Sequence, residues 1–234
     1  MTSEFIINPT TFNNIIIIGN EFNSRRLVSF IIHTKQKSIN EGIVTVTDKS
    51  NILAYKDVFS DIENIEYYED IGTFSNFTSK RINSIGKTIN TEHLNSFSLS
   101  DFNNFINIIS GTSSTSSTSS SINANINMSL NGNYIRNSQI IILNEMTYIP
   151  VAIRTNVDYV YFFPKNMNDE QYTKIFNTFC SINDKIVTQL KEFTADKECI
   201  VIDLYELRQL LKNKRGSIEY SITDYIKWIS LPLS

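Results

Sequence analysis

At 234 residues, 41% of them hydrophobic and 19% charged, the chain has enough apolar material for a sizeable core, in one large domain or two small ones. Its formal net charge of −3 excludes a general attraction to polyanions, so any nucleic-acid contact needs a local basic patch. Two cysteines, Cys180 and Cys199, and two well-separated histidines, His33 and His93, exclude a disulfide framework and a histidine metal centre.

The first residues, Met1–Pro9, lack a basic n-region and a long apolar run, so no secretory leader is expected. Asn14–Ile18 (NIIII) reads as a buried strand, and Arg25–Thr34 as a helix with Leu27, Phe30 and Ile31 on one face. Further strand-like runs stand at Gly42–Thr47, Phe105–Ile109, Gln139–Leu143, Tyr159–Phe163 and Cys199–Asp203. Each is short, rich in β-branched or aromatic residues, and apolar throughout rather than alternating, as a strand covered on both faces requires. Asp169–Leu190 repeats Tyr172, Ile175, Phe176, Phe179, Ile182, Ile186 and Leu190 at helical spacing and is read as one long helix. Leu204–Asn213 is a shorter helix, with Gly216 as its stop signal.

Strands alternating with helices predict an α/β fold of three layers, with a mostly parallel central sheet and helices on both faces. The tract at 110–121 (SGTSSTSSTSSS) has nothing apolar to bury and is expected to be a mobile surface loop inside one domain spanning 1–234. No run reaches the roughly 18 apolar residues of a membrane span, so the chain is expected to be soluble and intracellular, with no membrane partner.

The first strand runs directly into Gly19-Asn20-Glu21-Phe22-Asn23-Ser24-Arg25-Arg26, and a helix follows. Strand, loop, helix is the setting of a phosphate-binding P-loop, G-x-x-x-x-G-K-[ST]. Gly19 keeps the first glycine. Ser24 takes the place of the second, where a Cβ hinders the wrapping of backbone around phosphates. Arg25 replaces the lysine with a longer, forked cation, and Arg26 replaces the hydroxyl that would ligate Mg²⁺, for which guanidinium has no lone pair. Glu21 adds a carboxylate where a polyphosphate would sit. The loop is degenerate, and a purely structural turn is an equal reading of the same residues. A second match, Gly86-Lys87-Thr88, has no buried strand before it and is read as coincidence.

Beyond the loop, Gly42–Tyr55 and Asp57–Tyr67, the Asn131-Gly132-Asn133-Tyr134 turn, Gln139–Asn144 (QIIILN) and Ile149–Phe163 (IPVAIRTNVDYVYFF) follow in order. Together they resemble the poxvirus-type DNA-packaging ATPases of large nucleocytoplasmic DNA viruses, members of the FtsK/HerA superfamily. The resemblance spans nearly the whole chain and is most specific over Pro150–Phe163; it also implies a C-terminal strand at Ser217–Tyr220. It implies a P-loop NTPase-like fold and gives family-equivalent places to three residues. Asn144 stands where the sensor strand ends in Gln. Arg154 and Asn156 match the family segment near the nucleotide site or a subunit boundary. The strand in the Walker B place, Phe105–Ile109, is followed by Ser110 and Gly111 instead of acidic residues that would hold Mg²⁺ and orient water, and Asn133 replaces the turn's Arg.

The resemblance and these departures imply a packaging-ATPase-like protein that is catalytically inactive and serves as a structural or regulatory partner in DNA packaging or virion assembly. No resident cofactor is expected, and binding of ATP or another nucleotide is expected to be weak. The implied partners are further copies of the chain or an active packaging ATPase, with DNA contact an open option; the implied places are host cytoplasm, viral factory or virion. One alternative is a divergent but active DNA translocase in which Arg25, Asp48 and Asp203 take over phosphate and metal roles. Another is a binding module unrelated to packaging. Three remaining clusters carry no function: the acidic stretch from Asp61 to Asp70 with Tyr67 and Tyr68, read as a solvated face; the basic cluster Arg208, Lys212, Lys214 and Arg215; and Trp228, read as a C-terminal packing anchor.

Overall fold

The isoleucine run forms β1 (Asn14–Ile18), every residue of which is buried. A computed structural model describes the chain at residues 4–7, 13–35, 41–46, 49–58, 60, 65–68, 105–110, 137–146, 149, 151–180, 184–212 and 224–232. After β1 come α1 (Glu21–Lys35), β2 (Glu41–Val46), α2 (Lys49–Val58), β3 (Ile65–Tyr68), β4 (Phe105–Ser110) and β5 (Asn137–Leu143). The short helix α3 (Val151–Arg154) leads to β6 (Tyr159–Phe162), then α4 (Asp169–Phe179), α5 (Asp184–Thr194), β7 (Cys199–Asp203), α6 (Leu204–Lys212) and β8 (Ile226–Ile229).

All eight strands belong to one sheet in the order β3-β2-β4-β5-β1-β6-β7-β8. Six of them, from β3 to β6, run parallel, with Ile18 of β1 level with Leu143 of β5 and Phe162 of β6. The last two turn the direction: β7 is antiparallel to β6, and β8 antiparallel to β7.

Side chains alternate across this sheet with the period of two that a strand imposes. Ile15, Ile17, Ile140, Ile142, Tyr161 and Val201 face one way and pack with Leu27, Val28, Ile31 and Ile32 of α1 and Tyr55 of α2. Ile16, Ile18, Ile141, Leu143, Val160, Phe162, Ile200 and Ile202 face the other way, against Tyr172, Ile175 and Phe176 of α4, Val187 and Leu190 of α5, and Leu204 of α6. Each of these fully covered large side chains stabilises the fold by roughly 1.5–3 kcal/mol relative to exposure. The two apolar clusters, one on each face, make the three-layer α/β architecture that the strand pattern predicts.

Several boundaries differ from the expectation. The long helix at Asp169–Leu190 is two helices: α4 ends at Phe179, and Cys180 donates its N–H to the Phe176 carbonyl as the closing turn. The pair packs through Tyr172, whose hydroxyl lies 2.6 Å from Thr194 Oγ1. β3 lies inside the stretch read as a solvated acidic face, and its Tyr67 is half-buried with the Lys56 ammonium 5.4 Å from its ring centre. Trp228 lies within β8. The proposed strand at Ser217–Tyr220, Asp48, Gly86–Thr88, the tract after Ser110 and the 131–134 turn all lie outside the described residues. No helix among those described is long and apolar enough to cross a membrane.

Candidate functional site

In an open α/β sheet, ligands sit outside the carboxyl ends of the strands where neighbouring connections diverge. That point falls here between β1 and β5. The connection from β1 passes through α1 on one face towards β2, while the connection from β5, with Met146, Ile149 and Val157, crosses the opposite face to β6. The crevice therefore has Gly19–Asn20 on one side and Asn144–Glu145 on the other, and the Gly19 N–H donates to the Leu143 carbonyl at 2.9 Å.

The turn at this crevice is two residues long, because α1 already begins at Glu21. Residues that would form the body of a P-loop, Glu21 to Ser24, are wound into the helix. Asn20 caps it: its Oδ1 accepts the Asn23 N–H at 3.0 Å and its carbonyl accepts the Ser24 N–H at 3.0 Å. The N–H groups of Gly19, Asn23 and Ser24 are thus bonded within the chain.

The side chains are equally committed. Gly19 lies under the Phe163 ring, and a Cβ built there would be 2.5 Å from Phe163 Cδ2. This glycine is required by packing. Ser24 is fully buried, and its hydroxyl donates to the Gly19 carbonyl at 3.3 Å. Arg25 faces Glu21 one helical turn earlier, at 3.8 Å. Arg26 donates to Glu198 Oε1 at 2.7 Å and to the Pro232 carbonyl at 2.8 Å, while Glu198 Oε2 accepts the Leu231 N–H at 3.2 Å. On the other wall, Asn144 and Glu145 are exposed. Gln171 of α4 clamps this wall, accepting the Met146 N–H at 3.1 Å and donating to Glu145 at 3.2 Å.

Magnesium and ATP do not fit these residues. A triphosphate would meet the Glu21 and Glu145 carboxylates, a closed two-residue turn, and a hydroxyl already engaged with backbone. Among the described residues no group of three His, Cys, Asp or Glu side chains stands together as metal ligands.

The remaining candidates sit at the opposite edge. Asn156 accepts from Asn14 Nδ2 at 3.0 Å through its backbone carbonyl, at the amino end of β1 and about 13 Å along the strand from Ile18. Arg154 closes α3 just before this point. The structure therefore brings Gly19, Ser24, Arg25, Arg26 and Asn144 to one edge and leaves Arg154 and Asn156 at the other. Asp203 also requires correction as a metal or phosphate residue. It ends β7, which runs antiparallel, so its carboxyl end points away from the crevice. Its carboxylate caps α6 through the Glu206 N–H at 2.8 Å and pairs with Lys227 at 2.8 Å.

Beside it, Asp158 accepts the Asn14 N–H at 2.9 Å and the Arg208 guanidinium at 2.8 Å. Burial pushes its carboxyl above the usual range, opposed by the Asn14 N–H and Arg208. Arg208 also donates to the Val157 carbonyl at 2.7 Å, so this member of the expected basic cluster is an internal clamp. Asn20, Phe163, Gln171 and Glu198 escape a sequence reading. Only Asn20 carries a signal, an amide directly before a helix.

The sequence matches no protein-family model and no curated protein. Among solved structures it is similar to the genome packaging NTPase B204 from Sulfolobus turreted icosahedral virus 2 in complex with ATP-gammaS, at 12% identity and a TM-score of 0.49, covering 97% of this chain and 100% of that one. It is similar to the pCW3 conjugation coupling protein TcpA at 12% identity and a TM-score of 0.48, covering 75% of this chain and 54% of that one. A likeness to EssC (ATPases 2 and 3) from Geobacillus thermodenitrificans has 11% identity and a TM-score of 0.47, covering 74% of this chain and 35% of that one. At these identities the likeness concerns architecture alone.

Proposed function

We propose that this chain is a packaging-ATPase-like protein that has given up ATP hydrolysis and serves as a structural or regulatory partner in viral DNA packaging or virion assembly. The observation that carries this reading is the two-residue turn between β1 and α1, with the Asn23 and Ser24 N–H groups bonded to Asn20 and Arg26 bonded to Glu198. The sequence at the end of β4 adds to it, since Ser110 and Gly111 stand in place of the acids of a Walker B strand. A layered framework whose described residues offer neither phosphate cradle nor metal ligands is suited to shape and contact rather than turnover. The partners this role calls for are other copies of the chain or an active packaging ATPase.

Two experiments test the reading. A phosphate-release assay with ATP and Mg²⁺ is expected to give no turnover above the protein-free blank; sustained release that tracks protein concentration contradicts it. A pull-down with tagged chain from infected cells is expected to recover an intact packaging ATPase or virion proteins. Recovery of neither contradicts the partner role.

A further inference from the structure

Arg26 occupies the place of the P-loop hydroxyl, yet its guanidinium is held by two groups from a distant part of the chain. Glu198, immediately before β7, takes Nη1 at 2.7 Å, and the Pro232 carbonyl, after β8, takes Nη2 at 2.8 Å. Glu198 also fixes that C-terminal segment by accepting the Leu231 N–H at 3.2 Å. The arginine Nε is buried with no hydrogen-bond partner, so one donor of the fork is unused in this arrangement.

We infer that Glu198 and the Leu231–Pro232 segment form an autoinhibitory latch, in which one carboxylate oxygen and one backbone carbonyl of the chain itself occupy the arginine fork that a phosphate group would otherwise take. Glu198 Oε1 on Nη1 and the Pro232 carbonyl on Nη2 together fill the two positions that a pair of phosphate oxygens would take on guanidinium, so the two sets of acceptors compete for one site. The latch engages the second turn of α1 through Arg26, which is only 18% exposed while engaged. Neutralising Glu198 leaves Arg26, with Arg25 one residue away, free to take a phosphate-bearing anion. This inference rests on the reading above that the wild-type turn is closed to nucleotide.

Titration calorimetry with tripolyphosphate and, separately, with ATP, each without and with Mg²⁺, tests it on the full chain and on Glu198→Gln. The glutamine keeps an acceptor for the Leu231 N–H, and circular dichroism checks the fold. The expected result is no saturable binding to wild type and at least tenfold tighter tripolyphosphate binding to Glu198→Gln. That gain is expected to vanish in the double variant Glu198→Gln, Arg26→Ala. A chain ending at Leu231, which removes the Pro232 carbonyl, is expected to show a smaller gain and serves if Glu198→Gln fails to fold. A preference for ATP over tripolyphosphate identifies a nucleotide source for the anion; equal affinity identifies free polyphosphate, and either outcome supports the latch. A silent wild type with an equally silent Glu198→Gln and truncated chain overturns the latch and leaves the proposed function standing, as does a gain that survives Arg26→Ala. Tight Mg²⁺-dependent ATP binding by wild type overturns both.

Discussion

Gly19 and Arg26 show how one residue type supports two different stories. A glycine after a buried strand is what a phosphate loop needs, but here the Phe163 ring fills the space a Cβ would take. Phe163 is itself buried in the core that holds α1 and cannot swing aside without opening a void. Gly19→Ala is therefore expected to lower stability by about 1–3 kcal/mol through overpacking, read as a shift of the urea midpoint at unchanged slope. A variant as stable as wild type would show that the ring yields. Arg26→Ala removes two hydrogen bonds, one of them a charge pair that is partly exposed on the Glu198 side. Solvent screening limits the loss to about 1–2 kcal/mol, again measured by urea unfolding, and a change below half of that would make the contact incidental. Sequence alone shows that these residues depart from a P-loop, because the motif is defined by residue types at fixed spacing. It does not show what they bind instead, because Phe163, Glu198 and Pro232 lie far away along the chain and meet the turn only after the sheet has formed.

Among the elements, the runs legible in sequence are those whose neighbours cover both faces: β1, β5, β6 and β7 each carry an unbroken apolar run, at 15–18, 140–143, 159–162 and 199–202, and each stands within or close to its expected bounds. β8 is not legible, since Ile226-Lys227-Trp228-Ile229 alternates weakly and its two inner side chains, Ile226 and Ile229, are buried on different faces. The break between α4 and α5 is hidden for a different reason: the apolar periodicity continues through it, so spacing alone cannot report that the chain turns back. Strand direction is equally invisible. The antiparallel setting of β7 places Asp203 at the edge away from the crevice, which no local pattern around CIVID reveals.

The α4–α5 pair makes a testable unit. Burial raises the Tyr172 phenol to about 12, partly offset by its hydrogen bond to Thr194. An acid whose folded value lies above its unfolded value of 10.0 stabilises the fold fully below pH 10. That contribution is lost as pH rises from about 10 through about 12, and is on the order of 2 kcal/mol for this side chain. Unfolding midpoints measured from pH 8 to 12 are expected to be flat and then to fall, with Tyr159, Tyr161 and Tyr225 adding to the fall because burial raises them too. Tyr172→Phe is expected to show a shallower decline than wild type. Identical alkaline profiles would mean that this phenol ionises freely in the folded chain.

At the scale of the whole molecule, fold and chemistry separate. A six-stranded parallel run covered by helices on two faces creates a topological switch point whether or not anything binds there. The alternation of apolar strands with helical segments predicts these layers. The places that the resemblance over Pro150–Phe163 implied for Arg154 and Asn156 do not join the loop residues, because the segment carrying them leads into the amino end of β6. What remains at the switch point is a capped helix, a packed glycine, a latched arginine and two exposed residues, Asn144 and Glu145. Calorimetric titration of the wild-type chain with ATP and Mg²⁺ tests this account most directly. No saturable heat up to millimolar nucleotide is the predicted result, whereas Mg²⁺-dependent binding in the micromolar range, about 8 kcal/mol of affinity, would contradict it.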